Sequence, residues 1–190
     1  MFRRLARYEL YLCLLFNRGC RFSALRAFFA AVSRLGDGIA WYALMLALPL
    51  VHGLHGLAAS AHMLAVGGGG MLIYRQIKRR TERPRPFRLS RAIKIGTPPL
   101  DKYSFPSGHT LHAVGFTVVA IQYLPLLVWL LVPFGLLVAA SRLVLGLHYP
   151  TDVVFGALIG FGVALLSFML LPGLQYYSTA RRLHAGTDDF

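Results

Sequence analysis

Charge is what this chain has least of. Only 14% of its 190 residues are Asp, Glu, Lys or Arg, and 7 of those are acidic; soluble domains carry about 25%. The apolar share is 56% and the mean hydropathy +0.58. A soluble fold with such apolar blocks would need polar helices to cover them, and the sequence offers none, which excludes an ordinary soluble domain. Cysteine is also sparse. Cys13 and Cys20 lie a heptad apart with no zinc-type spacing, and both are expected to face lipid rather than pair. No internal repeat stands out. The N-terminal stretch lacks the compact basic, apolar and small-residue order of a cleavable signal peptide.

What is present is a series of uncharged blocks. Gly38 to Leu54, Leu57 to Tyr74, Thr110 to Ser141 (broken at Tyr123-Leu124-Pro125) and Val153 to Tyr177 contain no charged residue. A bilayer core takes about 20 apolar residues per helix. The pattern therefore predicts an all-α, multi-pass transmembrane bundle with five spans at 38–56, 58–77, 107–123, 125–144 and 152–171. Residues 1–36 read as a basic interfacial segment. Arg18, Arg21, Arg26 and Arg34 would be costly at mid-bilayer, which disfavours a sixth crossing. Phe22, Leu25, Phe28 and Phe29 would instead point toward the acyl chains from a helix lying among the headgroups. Residues 37–172 form the core in this reading, and 173–190 a frayed tail. Gly67-Gly68-Gly69-Gly70 in the second span has two explanations, close helix packing and a flexible point that opens a lateral path for a lipid; packing is favoured.

The net charge of +13 is concentrated between the second and third spans, where nine Lys and Arg face only Glu82 and Asp101. Such a run suits an anionic lipid surface. Nucleic acid is not expected as a partner, because a short loop pinned between membrane helices has no groove-reading element. A phosphorylated membrane lipid fits the same attraction and gives it chemistry to do.

Three strings supply that chemistry. In the first, Lys78 stands at the exit of the second span, and Arg85-Pro86 follows on a stretch that prolines keep extended. Arginine matches phosphate oxygens with a planar fork, whereas lysine acts as a point charge. In the second, Pro106-Ser107-Gly108-His109 opens the third span. With Pro106 as first helical residue, the amides of Ser107, Gly108 and His109 would be unpartnered and aimed at an anion; Ser107 alone could equally be a plain cap. In the third, Ser141-Arg142 ends the fourth span and His148 and Asp152 bracket the start of the fifth. Their offset of four puts both on one face if that turn is helical. A carboxylate on one imidazole nitrogen fixes the tautomer and frees the other nitrogen to attack. His52, His55, His62 and His112 lack such a partner and read as ordinary interfacial residues. With five spans, all three strings fall on one face of the membrane. The inventory is that of a metal-free phosphate-ester site, with cations to hold phosphate, one histidine to attack and another to protonate the leaving oxygen.

The order Lys78-x6-Arg85-Pro86, Pro106-Ser107-Gly108-His109 and Ser141-Arg142-x5-His148-x3-Asp152 resembles the complete tripartite signature of the type 2 phosphatidate phosphatase superfamily, with no signature position substituted. The resemblance implies phosphate ligation by Lys78, Arg85, Arg142, Ser107 and the Gly108 amide. It implies His148 as nucleophile, His109 as general acid and Asp152 as the partner that orients His148, with no cofactor and no metal. The short, multi-span chain is similar to small bacterial members acting on undecaprenyl diphosphate, phosphatidylglycerophosphate or phosphatidate through a phosphohistidine. Two other classes remain open: a phosphotransferase using the same residues, and a non-catalytic lipid-binding or channel protein, which would have no use for the His148–Asp152 pair. Loop charge bias would put the catalytic face in the cytoplasm; the resemblance points instead to the periplasmic face of a bacterial cytoplasmic membrane.

Overall fold

In hydrocarbon, backbone amides must be satisfied within their own segment, and long uncharged runs therefore coil. The computed structural model describes residues 2–170, and among these every regular element is helical. The expected tail at 173–190 lies outside the described residues. Helices α1 (Phe2–Asn17) and α2 (Ser23–Arg34) lead through a π turn at Leu35–Ile39 into α3 (Ala40–Thr81). Then follow the short α4 (Pro86–Leu89), α5 (Gly108–Tyr123), α6 (Val128–Val144) and α7 (Pro150–Leu170).

The first two expected spans are the limbs of one hairpin within α3. Gly53, at φ 55° and ψ −133°, breaks the helix and turns the chain back, a conformation that costs little only without a side chain. The limbs then touch backbone to backbone. Ser60 Oγ donates to the Met45 carbonyl at 2.7 Å, and a Cβ on Gly56 would stand 1.9 Å from the Leu48 oxygen. The boundary thus falls at residue 53 rather than 56–58, because apolarity runs unbroken through the turn and backbone freedom alone sets the corner. By length and hydropathy, three helical stretches could cross a membrane: Ser23–Leu89, which contains the hairpin, Pro125–Val144 and Pro150–Leu170. Helix α5 has 16 residues, about 24 Å of rise.

Helix α5 is the central post, contacted by α3, α6 and α7. Trp41 wedges between Phe116 and Phe134 at centroid separations of 5.4 and 5.3 Å. Gly156 and Gly160 of α7, spaced as in Gly-x-x-x-Gly, meet α5 so closely that added Cβ atoms would lie 2.5 Å from the Ser107 oxygen and 2.2 Å from the Leu111 oxygen. Small residues at this spacing let helices approach in lipid. Two of the four consecutive glycines do the same on α3, where Cβ atoms on Gly67 and Gly70 would collide with Phe116 and Leu111. Outward-facing Leu50, Leu54, Leu72, Trp129, Leu158 and Met169 form the apolar exterior. At the hairpin end, His62 is sealed between Tyr123 Oη (3.2 Å) and Ser167 Oγ (2.7 Å).

Helix α1 is docked on protein. Its inner face carries Glu9, Cys13 and Asn17, and Cys20 follows in the next turn; all four are buried. Asn17 acts as a clamp, donating to the carbonyls of Lys94 (2.8 Å) and Val144 (2.9 Å) and accepting from the Lys94 amide (2.8 Å). The expectation that the cysteines face lipid is therefore wrong: both are free thiols packed inward, Cys13 beside Ile93 and Tyr149, Cys20 beside Leu145 and Leu147. Spacings of four, four and three residues put them on the stripe that docks.

Candidate active site

The close approach of α5 and α7 at Gly156 brings the start of each helix beside the other, one turn beyond the contact. Ser107 caps α5, its Oγ lying 3.5 Å from the Thr110 amide and 2.9 Å from Thr110 Oγ1. Its own amide donates to the Asp152 carbonyl at 2.9 Å. This corrects the expected anion seat in two ways. Pro106 precedes the cap rather than opening the helix, and the Ser107 amide is engaged. Gly108 and His109, the first two helical residues, line the cleft, and first-turn amides have no intrahelical acceptor.

Asp152 is the third residue of α7, and its carboxylate reaches back to the Tyr149 amide at 2.8 Å, one half of a capping box. His148 therefore lies before the helix rather than on a helical face with Asp152. The loop still brings Nδ1 of His148 to 3.6 Å from Asp152 Oδ2. Asp152 is fully buried, and its other oxygen accepts from Arg83 at 2.7 Å. Arg83 also donates to Thr151 Oγ1 (2.8 Å), pairs with Glu9 (2.7 Å) and covers the Tyr149 ring at 4.0 Å. Thr151 and Glu9 close the circuit with a short hydrogen bond.

The three signature cations converge on the other side of His148. Arg85 is nearly inaccessible, and its Nη1 donates to the Leu147 carbonyl at 2.8 Å and stands 3.3 Å from His148 Nε2. A guanidinium only donates, so Nε2 carries the lone pair and Nδ1 the proton. Burial, reinforced by Arg142, Arg85 and Lys78, pushes the His148 pKa well below the usual 6.5, so the imidazole is neutral at pH 7. Arg142 Nη1 binds Ser33 Oγ, while its buried Nε has no hydrogen-bond partner. Lys78 Nζ lies 2.5 Å from Asp101 Oδ2, and Arg85 Nη2 lies 2.7 Å from Asp101 Oδ1. Burial alone would raise the Asp101 carboxyl, but Lys78 and Arg85 outweigh it and hold the group below the ordinary carboxylate range. His109 Nε2 faces Asp37 Oδ1 at 3.3 Å.

Asp37, Lys78, Arg85, Asp101, Gly108, His109, Arg142 and His148 open on one cleft of about 660 Å³, whereas Ser107 and Asp152 are fully buried behind it. One end is polar, with Lys78, Arg85, His109, Arg142 and His148. The other descends between the α3 limbs past Trp41, Met45, Leu64 and Met71, with Gly68 at its wall. The shape and lining suit an anionic head attached to an apolar tail.

The PAP2 superfamily pattern matches residues 56–175. The chain belongs to the PAP2 superfamily. It is similar to decaprenylphosphoryl-5-phosphoribose phosphatase of Mycolicibacterium smegmatis, 39% identical over 66% of this chain and 68% of the relative. It is also similar to undecaprenyl-diphosphatase BcrC of Bacillus subtilis, 37% identical over 47% of this chain and 48% of the relative. Among solved structures, LpxE of Aquifex aeolicus superposes with a TM-score of 0.71 at 27% identity, over 84% of this chain and 94% of that one. With relatives of this kind, the protein is a membrane-embedded phosphoric ester hydrolase of the PAP2 superfamily.

Four residues at the cleft or braced against it are absent from the signature: Glu9, Asp37, Arg83 and Asp101. A single carboxylate in an otherwise apolar and basic segment is the one sequence cue for Glu9. Asp37 sits between two glycines, one of them at φ 140°, which hints at a turn but not at what it faces. Arg83 and Asp101 are lost in the basic loop, where nothing distinguishes a brace from a surface charge.

Proposed function

We propose that this PAP2 protein is a lipid phosphatase working through a phosphohistidine at His148, without a metal. The observation that carries the reading is the lone pair on His148 Nε2, 3.3 Å from Arg85 Nη1, with the opposite nitrogen turned to Asp152. A phosphate held by Lys78, Arg85, Arg142, the Ser107 hydroxyl and the Gly108 amide would present its phosphorus to that lone pair. Nε2 attacks in line, the bond to the departing oxygen breaks, and His109 gives that oxygen its proton. Asp152 stands 3.6 Å from a buried Nδ1 that has no hydrogen-bond partner, where a small closing movement would let it orient His148 and balance the charge that develops on the ring. Water then attacks the phosphohistidine, His109 takes the water proton, and inorganic phosphate leaves. The cations and the helix start stabilise the equatorial oxygens throughout.

The tail-shaped half of the cleft favours a lipid substrate. The names of the relatives favour a polyprenyl phosphate or diphosphate, with phosphatidylglycerophosphate and phosphatidate as the other candidates. Residues 1–36 would lie among anionic headgroups beside a core at 37–172, in the bacterial cytoplasmic membrane with the cleft on its periplasmic side. Because Cys13 and Cys20 are buried, a single Thr97→Cys variant reports that side cleanly: labelling of intact cells supports it, and labelling only after permeabilisation reverses it.

The chemistry is tested by phosphate release from purified protein with undecaprenyl diphosphate, decaprenylphosphoryl phosphoribose, phosphatidylglycerophosphate and phosphatidate. Turnover of at least one in EDTA, with an acid-labile, base-stable phosphoryl-enzyme that His148→Ala abolishes, is the expected result. Full turnover by a folded His148→Ala variant would remove the nucleophile assignment.

A further inference from the structure

Lys78 and Arg85 are almost out of water, 7% and 2% exposed. A buried cation without a counter-charge costs several kcal/mol, so the empty site needs an anion of its own. Asp101 supplies it, with one carboxylate oxygen on each cation. These are two of the three cations assigned above to the substrate phosphate, and every nitrogen of Arg85 is already engaged, so a phosphate arriving there competes with the carboxylate for Nη2. We propose that Asp101 is a displaceable internal ligand: its carboxylate fills the phosphate seat between Lys78 and Arg85 in the empty enzyme, swings out when a phosphate arrives, and returns as inorganic phosphate leaves. Asp101 thereby sets the affinity for substrate and product alike. The inference rests on the phosphate-site reading.

Three observations make the carboxylate removable rather than a fixed strut. Asp101 lies in the irregular stretch between α4 and α5, and its side chain is 40% exposed, so rotation into water is open to it. Arg85 does not depend on the carboxylate for its place. Its Nε donates to the Asp101 main-chain carbonyl at 3.0 Å and its Nη1 to Leu147 at 2.8 Å, contacts that survive a change of side-chain rotamer. Finally, Arg142 has no carboxylate within 4.0 Å among the described residues, and its Nε is unpartnered. A phosphate bridging all three cations brings more charge than one carboxylate touching two. The incoming ligand is therefore the stronger one.

An internal competitor weakens every anion by the fraction of enzyme whose seat is open. Asp101→Asn keeps the shape and removes the charge. The probes are orthovanadate and inorganic phosphate, tested as inhibitors of phosphate release by the full chain in detergent; inhibition constants do not depend on how much of a preparation is folded. In Asp101→Asn both constants should fall roughly tenfold and KM with them, while Asp101→Glu stays within about threefold of wild type. Vanadate should also raise the unfolding midpoint more in Asp101→Asn than in wild type. Should Asp101→Asn not accumulate, Asp101→Ser carries the same expectation. Inhibition constants that stay level or rise in the neutral variants, while wild type responds to vanadate, would overturn the internal ligand and make Asp101 a strut. A wild type indifferent to both anions would overturn the phosphate-site reading, and the internal ligand with it.

Discussion

Substituting Gly156 with alanine adds one methyl group where α7 meets the cap of α5. That Cβ would lie 2.5 Å from the Ser107 carbonyl oxygen, 0.9 Å short of ordinary contact at 3.4 Å. The obstacle is backbone at a helix start, so no side chain can rotate away, and the helices must part by close to that distance. Asp152 is one turn up α7, and its carbonyl holds the Ser107 amide at 2.9 Å. Separation therefore moves Asp152 and His148 away from His109. Overpacking costs about 1–3 kcal/mol, of which the better helix propensity of alanine recovers about 1. Misplacing reacting groups by about 1 Å costs on the order of 100-fold in rate, close to 2.7 kcal/mol. Gly156→Ala should thus remain folded, lose at most about 2 kcal/mol of stability, and lose about 100-fold in kcat/KM. Gly162 is the control, on the same helix with nothing within 4 Å of its added Cβ, so Gly162→Ala should be silent. The assay is phosphate release at matched detergent, with unfolding followed by circular dichroism. A Gly156→Ala enzyme within threefold of Gly162→Ala would refute the idea that this contact sets the catalytic spacing.

Arg83→Met leaves the buried carboxylates of Asp152 and Glu9 without their cation. Removing one partner of a buried pair costs about 3–5 kcal/mol, and the partial exposure of Arg83 favours the lower end. Combining it with Glu9→Gln should cost less than the sum of the two, a coupling of about 0.5–3 kcal/mol read from thermal unfolding; strict additivity would dissolve the circuit. The depressed pKa of His148 fixes a pH dependence. In the proposed mechanism the attacking form is the neutral one, present above the folded pKa and lost as pH falls through it, so the acid limb of kcat/KM should lie below 6.5. Measuring a monophosphate and a diphosphate together separates this limb from substrate ionisation, and a shared limb at or above 6.5 would contradict the buried, cation-flanked imidazole.

That Lys78, Arg85, His109, Arg142 and His148 share one cleft was legible because phosphate chemistry demands rare side chains, and a hydrophobic chain has few other uses for them. The apolar blocks were legible for the same reason, since burial in lipid constrains long runs. Corners and contacts were harder to read. The break at Gly53 sits among several glycines, and only the limb packing at Gly56 and Ser60 selects it. The inward stripe of α1 was not legible, because polar Glu9 and Asn17 mark a docking face only once their partners at Arg83 and Lys94 are in place. The bridge from Asp101 to Lys78 spans 23 residues, mostly irregular chain interrupted by the short α4, over which no periodicity carries information.

The brace formed by Glu9, Asn17, Ser33 and Asp37 has a practical consequence. All four residues precede the stretch 56–175 that matches the superfamily, yet Ser33 and Asp37 reach the signature residues Arg142 and His109, Glu9 reaches Arg83 beside Asp152, and Asn17 clamps the backbone at Lys94 and Val144. A minimal enzyme trimmed to the homologous stretch would keep every signature residue and lose the supports that aim them. Fusion partners and purification handles are better placed at the far end of the protein, and chimaeras between superfamily members should exchange the leading helices together with the body they steady.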